Sequence, residues 1–164
     1  MPQNTFNNIV DKLGPRLLRF AAKQIGSIDI AKDLVQETFI VYLDKQVDII
    51  PGKEKSFLFK VISYKILDHF KLKKHNVDYT TIHLYSTDDH REYEHKELIN
   101  LALLRLKPVA KQLITLRDLE GYNYQEVADI MDISIGKVKV YLFRARKALK
   151  EEIIKIDMSY ERSN

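Results

Sequence analysis

Apolar residues recur at helical spacing through the first part of the chain, residues 4–75. The side chain of Ser27, just after Gly26, predicts an N-cap, and Pro51-Gly52 predicts a loop. These signals separate three mainly apolar sets: Phe6, Ile9, Val10, Leu13, Leu17 and Phe20; Leu34, Val35, Thr38, Phe39 and Tyr42; and Phe57, Val61, Ile62, Ile66, Leu67 and Phe70. The pattern therefore predicts three helices that share a core, with a break in the first near Gly14-Pro15.

A polar stretch over residues 76–93 follows. It has no clean period and contains the acidic pair Asp88-Asp89. We therefore predict a flexible acidic linker, although its length leaves room for a short helix.

Helical spacing resumes in a second block, residues 94–156. Pro108 is predicted to open one helix and Gly121 to end it. A short helix over residues 124–131, a turn at Asp132-Ile133 and a long helix from Ser134 then predict a helix-turn-helix. In it Ala128 permits close helix contact, and the predicted inward residues are Val127, Ile130, Ile133, Val138, Leu142, Ala145 and Leu149.

The predicted fold class is all-α, with two small helical domains joined by a flexible linker, the C-terminal one a helix-turn-helix. Composition agrees, since 164 residues include only five glycines and four prolines. The chain has no cysteine, which excludes disulfides and thiolate chemistry, and no long apolar run or secretory signal is evident. We expect a cytoplasmic protein without membrane insertion, cofactor or metal.

The last predicted helix carries a strongly basic face. Residues 134–150 include six basic side chains and no acidic one, and the whole chain has a formal charge of +4. Cations bind phosphates, and the start of such a helix reaches base edges in the major groove. A basic face alone is more often a solvated helix surface, but here it coincides with the cap, the turn and the small residue.

Two segments of the sequence resemble the extracytoplasmic-function group of RNA polymerase sigma factors. Residues 119–146 contain LEG, YQEVA, ISIGKVK and LFRAR, which are similar to the C-terminal helix-turn-helix pattern of that family. Residues 33–39 read DLVQETF, which is similar to the family's N-terminal motif residue for residue, and residues 56–74 resemble its promoter-melting helix. The two matches occur in the family's order on either side of the linker.

The sequence departs from the family pattern at several positions. Asp132 occupies the place of the turn glycine, and aspartate tolerates left-handed backbone better than most residues. Ser63-Tyr64 replaces a common Arg-Asn pair in the promoter-melting helix. Lys137, Val140 and Tyr141 replace threonine, serine and arginine in the recognition helix, so a different base preference is expected.

The resemblance implies a role for each part of the chain. The C-terminal domain (94–156) would recognise the minus-thirty-five element, and the N-terminal domain (4–75) would bind polymerase and melt the minus-ten element. The residues expected at the minus-thirty-five element are Ser134, Gly136, Lys137, Lys139, Val140, Tyr141, Arg144 and Lys147. Those expected at the minus-ten element are Lys60, Tyr64, Lys65, Lys71, Lys73 and Lys74, and those expected on polymerase are Asp33, Gln36 and Glu37.

The lysine-rich helix also supports this role from its composition. Residues 53–75 contain seven lysines and four aromatic rings, a combination that holds single strands by charge and stacking. We expect Phe57, Phe59 and Phe70 to be core residues and Tyr64 to be exposed. The expected partners are core RNA polymerase and promoter DNA, and the resemblance makes an anti-sigma factor a further candidate.

Two other functions are consistent with parts of the sequence. An autonomous helix-turn-helix regulator explains the C-terminal block but not DLVQETF or the lysine-rich helix. A metal enzyme would have to use His83, Asp88, Asp89, His90 and His95, whose spacing matches no ligand pattern. No phosphate-binding glycine loop or nucleophile motif is present, so we expect no catalytic residue.

Overall fold

The computed structural model describes residues 2–72 and 90–163. In these ranges the chain is helical and contains no strand, as the sequence predicts. The N-terminal domain consists of α1 (Pro2–Ile25), α2 (Ile28–Lys45) and α3 (Glu54–Leu72). The C-terminal domain consists of α4 (His90–Leu104), α5 (Pro108–Ile114), α6 (Tyr124–Met131) and α7 (Ile135–Ser163), and a π-helical turn, Thr115–Leu119, extends α5.

The helix boundaries follow local signals in the sequence. The Ser27 hydroxyl accepts a hydrogen bond from the amide of Ile30, 3.4 Å away, and so caps α2. Pro108 stands at the start of α5, where its missing N–H costs nothing. Gly121 has a φ of 77° just beyond the π-helical turn, so the helix ends there as predicted.

Two boundaries differ from the sequence prediction. Helix α1 runs through Gly14 and Pro15 without a break, because Pro15 is exposed and Leu13 and Leu17 on either side remain buried in the core. Packing of the apolar face thus outweighs the hydrogen bond that proline removes. Helix α4 begins at His90, inside the predicted linker, and residues 76–89 of that linker lie outside the described ranges.

The two domains share one continuous core. Phe20 of α1 and Phe59 of α3 are fully buried, and their ring centroids lie 5.5 Å apart. The Phe59 ring also meets Tyr122 of the C-terminal domain at 5.2 Å, edge to face. Helix α3 packs along α6, and α1 packs against α4 and α5. The helix-turn-helix therefore lies directly beside the lysine-rich helix.

Candidate nucleic-acid interface

Helices α6 and α7 form the predicted helix-turn-helix, and each begins at a side-chain cap. The Asn123 side chain accepts from the Glu126 amide and the Glu126 carboxylate accepts from the Asn123 amide, both at 2.8 Å. Asp132 ends α6 in the left-handed conformation, with φ 56° and ψ 48°. The Ser134 hydroxyl then accepts from the Lys137 amide at 3.2 Å. These caps fix where α7 starts relative to α6.

The inner face of α7 is apolar, as the spacing predicts. Val138, Leu142 and Ala145 are buried against Val127, Ala128 and Ile130 of α6. Ile133 in the turn and Leu149 on α7 are half-buried against the same core. Burial of this face determines which side of α7 is left to solvent.

The outer face of α7 presents most of the predicted DNA-binding residues together. Exposed are Ser134, Gly136, Lys137, Lys139, Val140, Arg144 and Lys147. Tyr141 is half-buried against the core, so only part of its side chain is accessible. Because these cations lie on the exposed side of α7, the helix can enter a major groove without any rearrangement of the fold.

Neighbouring contacts refine this surface. Arg146 forms two hydrogen bonds to Asp118, at 2.6 and 3.0 Å, so its guanidinium is held against the domain. Phe143 is 71% exposed between the predicted residues and was missed in the sequence. Its place three residues beyond Val140 and one before Arg144 could have identified it, because residues at helical spacing lie on one face of a helix.

The lysine-rich helix α3 is less open than α7. Tyr64 is 46% exposed, as expected, and Phe59 is fully buried. Lys60 is half-buried, and the Lys65 ammonium lies 3.2 Å from the carboxylate of Glu37. Lys71 is exposed near the end of the helix, while Lys73 and Lys74 lie outside the described ranges. Phe57 and Phe70 are half-buried at the edge of the core.

Helix α2 exposes the residues of the DLVQETF motif that were assigned to polymerase. Asp33, Gln36 and Glu37 face solvent, whereas Leu34, Thr38 and Phe39 are buried. Ile40 and Leu43 continue the same exposed face at helical spacing, although no motif in the sequence marks them. The face therefore combines polar and apolar groups, which is typical of a protein-binding surface.

The structure assembles no metal site in the ranges it describes. Among those residues no group of three or more His, Asp and Glu side chains could hold an ion. Of the five residues considered in the sequence, His83, Asp88 and Asp89 lie outside the described ranges, and His95 is exposed on α4. In the same part of the chain, no helix is long and apolar enough to cross a membrane.

Comparison with protein families gives two matches on this chain. The model for sigma-70 region 2 matches residues 9–75, and a model for sigma-70 region 4 matches residues 96–149. Together they cover most of the sequence, in the order that the motifs predicted.

Curated proteins and solved structures show the same likeness. The chain is 24% identical to the ECF RNA polymerase sigma factor SigE of Mycolicibacterium smegmatis, over 92% of this chain and 62% of that protein. It is 22% identical to SigW of Bacillus subtilis, over 92% of this chain and 90% of that protein. The chain thus spans about three fifths of the SigE relative. The sigma factor RpoE of Bartonella quintana, solved with the anti-sigma factor NepR, has a TM-score of 0.73 at 24% identity, covering 93% and 98% of the two chains.

Proposed function

Because this chain belongs to the sigma-70 family, in the group of extracytoplasmic-function sigma factors, we propose that it binds core RNA polymerase, directs it to specific promoters and initiates transcription. The observation that carries the proposal is the presence of regions 2 and 4 on one chain, each with its own exposed surface. Such a protein acts by binding alone, without catalysis of its own, and it acts in the cytoplasm.

The minus-thirty-five element is assigned to the outer face of α7. Arg144, Lys137 and Lys139 supply cations there, and Val140 and Phe143 supply apolar surface that can meet thymine methyl groups. Cations on phosphates position the helix, while the side chains nearest its start read the bases. The replacements at Lys137, Val140 and Tyr141 then give this protein its own base preference.

The minus-ten element is assigned to α3, and polymerase to α2. The ring of Tyr64 is exposed on α3 and can stack on an unpaired base, while Lys60, Lys65 and Lys71 meet the backbone. Lys73 and Lys74 extend the same basic set beyond the described helix. On α2 the exposed set Asp33, Gln36, Glu37, Ile40 and Leu43 would dock on polymerase. Attachment to polymerase raises the effective concentration of both DNA-binding surfaces at one promoter.

An anti-sigma protein is a further candidate partner. The Bartonella quintana relative was solved with such a factor bound, and it shares the fold of this chain. A protein of this kind would compete with polymerase or promoter DNA for the surfaces described above.

Transcription by purified core polymerase on a library of genomic promoters, with and without this protein, tests the proposal. We expect new start sites that require the protein, preceded by two shared sequence elements. A matched control uses a variant with Gln36→Ala and Glu37→Ala, which should lose these starts because its docking face is altered. Sequence-specific DNA binding without new starts would instead indicate an autonomous regulator and overturn the proposal.

A further inference from the structure

Polar side chains are concentrated where the two domains meet. Gln24, Lys111, Gln112 and Thr115 are all buried, with at most 2% of each exposed. The Gln24 amide donates to the Thr115 hydroxyl at 2.7 Å, and the Gln112 amide donates to the backbone carbonyl of Ser63 at 3.0 Å. These bonds join residues that are 91 and 49 positions apart in the chain, so they hold one domain against the other.

A buried cation lies in the same interface. The Lys111 ammonium on α5 donates to the carbonyl of Gln24 near the end of α1, where helix carbonyls favour positive charge. It also lies 4.5 Å from the centroid of the Phe70 ring on α3. Burial lowers the pKa of Lys111 to about 8, which shows that the closed packing disfavours its charged form.

Several other polar atoms are left unsatisfied at this interface. Among the described residues, no hydrogen-bond partner exists for one side-chain oxygen each of Gln24, Ser63, Gln112 and Tyr122. Polar atoms that lose water on burial without gaining a partner weaken the packing that buries them. All four would regain water if the domains separated, which lowers the free-energy cost of separating them.

One contact links the two DNA-binding elements directly. The Tyr64 hydroxyl on α3 lies 3.4 Å from a carboxylate oxygen of Asp132, the residue that makes the helix-turn-helix turn. Burial and the nearby Asp132 carboxylate both raise the pKa of Tyr64, which keeps its hydroxyl a donor. Both residues are departures from the family pattern, and the fold brings these two departures together.

We propose that this protein closes on itself, with the Tyr64–Asp132 contact acting as a latch that holds the helix-turn-helix domain over the promoter-melting helix. The assignment of α3 to promoter melting rests on the proposed function. In the closed state Ser63 is buried and Tyr64 is engaged, whereas the outer face of α7 and the docking face of α2 stay exposed. Polymerase and upstream duplex DNA can therefore bind before the latch opens, and opening exposes α3 last.

Distance measurements between spin labels test the latch in the full-length protein. The chain has no cysteine, so Asp44→Cys on α2 and Glu151→Cys on α7, both exposed, place one label in each domain. We expect one narrow distance population for the otherwise unchanged chain. Tyr64→Phe and Asp132→Gly should each raise the ratio of open to closed molecules by about threefold to tenfold, the effect of one hydrogen bond.

Two further variants separate the latch from a general weakening of the fold. Glycine suits the left-handed backbone at position 132, so Asp132→Gly removes the acceptor without straining the turn. Asp132→Asn keeps an oxygen acceptor and also tolerates that conformation, so it should resemble the parent protein. The double variant Tyr64→Phe with Asp132→Gly should open no further than either single variant, because both remove the same bond.

The latch would be overturned if the spin-label distances were unchanged in both Tyr64→Phe and Asp132→Gly. It would also be overturned if the parent protein already showed a broad distribution of these distances. An opening in Asp132→Asn as large as in Asp132→Gly would also count against it. In transcription, Asp132→Gly should lower the protein concentration for half-maximal transcript by the factor seen in the distances. If no variant supports transcription while the distances change as expected, the proposed function fails and the latch stands.

Discussion

Lys111 lies in an environment that its residue type rarely occupies, because lysine is seldom fully buried. Only 2% of it is exposed, and its pKa is lowered to about 8 by burial. Between that value and the ordinary lysine value of 10.5, the unfolded chain binds more protons than the folded protein. The free energy of unfolding therefore rises with pH across this window, and below pH 8 the folded state bears the full cost of the buried charge.

Replacement by methionine isolates this contribution. As the pH rises from 8 to 10.5, the free energy of unfolding of the parent protein should increase relative to that of Lys111→Met by up to about 3 kcal/mol. This amount follows from the difference between the folded and unfolded pKa of Lys111. Urea unfolding at several pH values measures it. Lys150→Met, at an exposed position of α7, is the matched control and should show a flat difference. A flat difference for Lys111→Met as well would contradict the burial of its charge.

Arg144 carries the sharpest prediction for DNA binding. It is exposed on the outer face of α7 and, among the described residues, has no side-chain bond such as the one that holds Arg146 to Asp118. If it contacts a base edge, Arg144→Ala should weaken binding to the upstream element of an identified promoter by about 1–3 kcal/mol. Polymerase binding should be unchanged, because α2 lies on the other domain.

Titration of a labelled duplex and of core polymerase measures the two affinities separately. Arg162→Ala, an exposed cation much further along α7, is the control and should leave both nearly unaltered. Equal loss of duplex and polymerase binding in Arg144→Ala would show that the surfaces are misassigned.

At the scale of elements, α6 depends on the reciprocal cap between Asn123 and Glu126. Asn123→Ala removes one of its two bonds and leaves an amide at the start of α6 without its acceptor. The free energy of unfolding should fall by about 1 kcal/mol. Denaturant unfolding, monitored by circular dichroism, measures this free energy. If Asn123→Ala loses no more of it than the control variant Gln125→Ala does, the cap contributes little.

Gln125→Ala supplies that control in the first turn of the same helix. Gln125 is exposed, and its only described side-chain bond, to Asp129, is also at the surface. Such a substitution should change the free energy of unfolding by less than about 0.5 kcal/mol.

The elements themselves were largely predictable because their signals are local. The caps at Ser27 and Ser134, the start at Pro108 and the helix end at Gly121 all depend on residues within four positions of each other. The predicted break at Pro15 was wrong because its outcome depends on the packing of Leu13 and Leu17, which no local signal contains. The start of α4 at His90 was likewise not predicted, because the sequence around it is polar and has no clean helical period.

At the scale of the molecule, the exposure of the outer face of α7 was predictable, but the partial covering of α3 by the other domain was not. The basic outer face follows from which residues of α7 are apolar. The partial covering of α3 follows from bonds such as Gln112 to Ser63, which join distant parts of the chain. Gln24, Lys111 and Gln112 are residue types that usually face water, so their burial between domains leaves no trace in the apolar pattern.

Tyr122 gives a way to move the whole molecule toward its closed state. Its ring packs on Phe59 and beneath the Lys55 ammonium, 4.5 Å away, but its hydroxyl is buried without a hydrogen-bond partner among the described residues. Burial raises the pKa of Tyr122, so the hydroxyl stays protonated. Tyr122→Phe keeps the ring and removes only the unsatisfied group, which should stabilise the closed state by about 1 kcal/mol.

The expected results are a higher melting temperature and a lower yield of transcript at limiting protein, since about fivefold fewer molecules would be open for 1 kcal/mol. Tyr42→Phe is the matched control: Tyr42 is buried against Phe6 and Phe57, within the N-terminal domain. Its substitution should leave the ratio of closed to open molecules unchanged. A Tyr122→Phe protein that is more stable yet transcribes as well as its parent would show that closure and promoter melting are independent, because the substitution opposes separation of the domains without touching either DNA-binding surface.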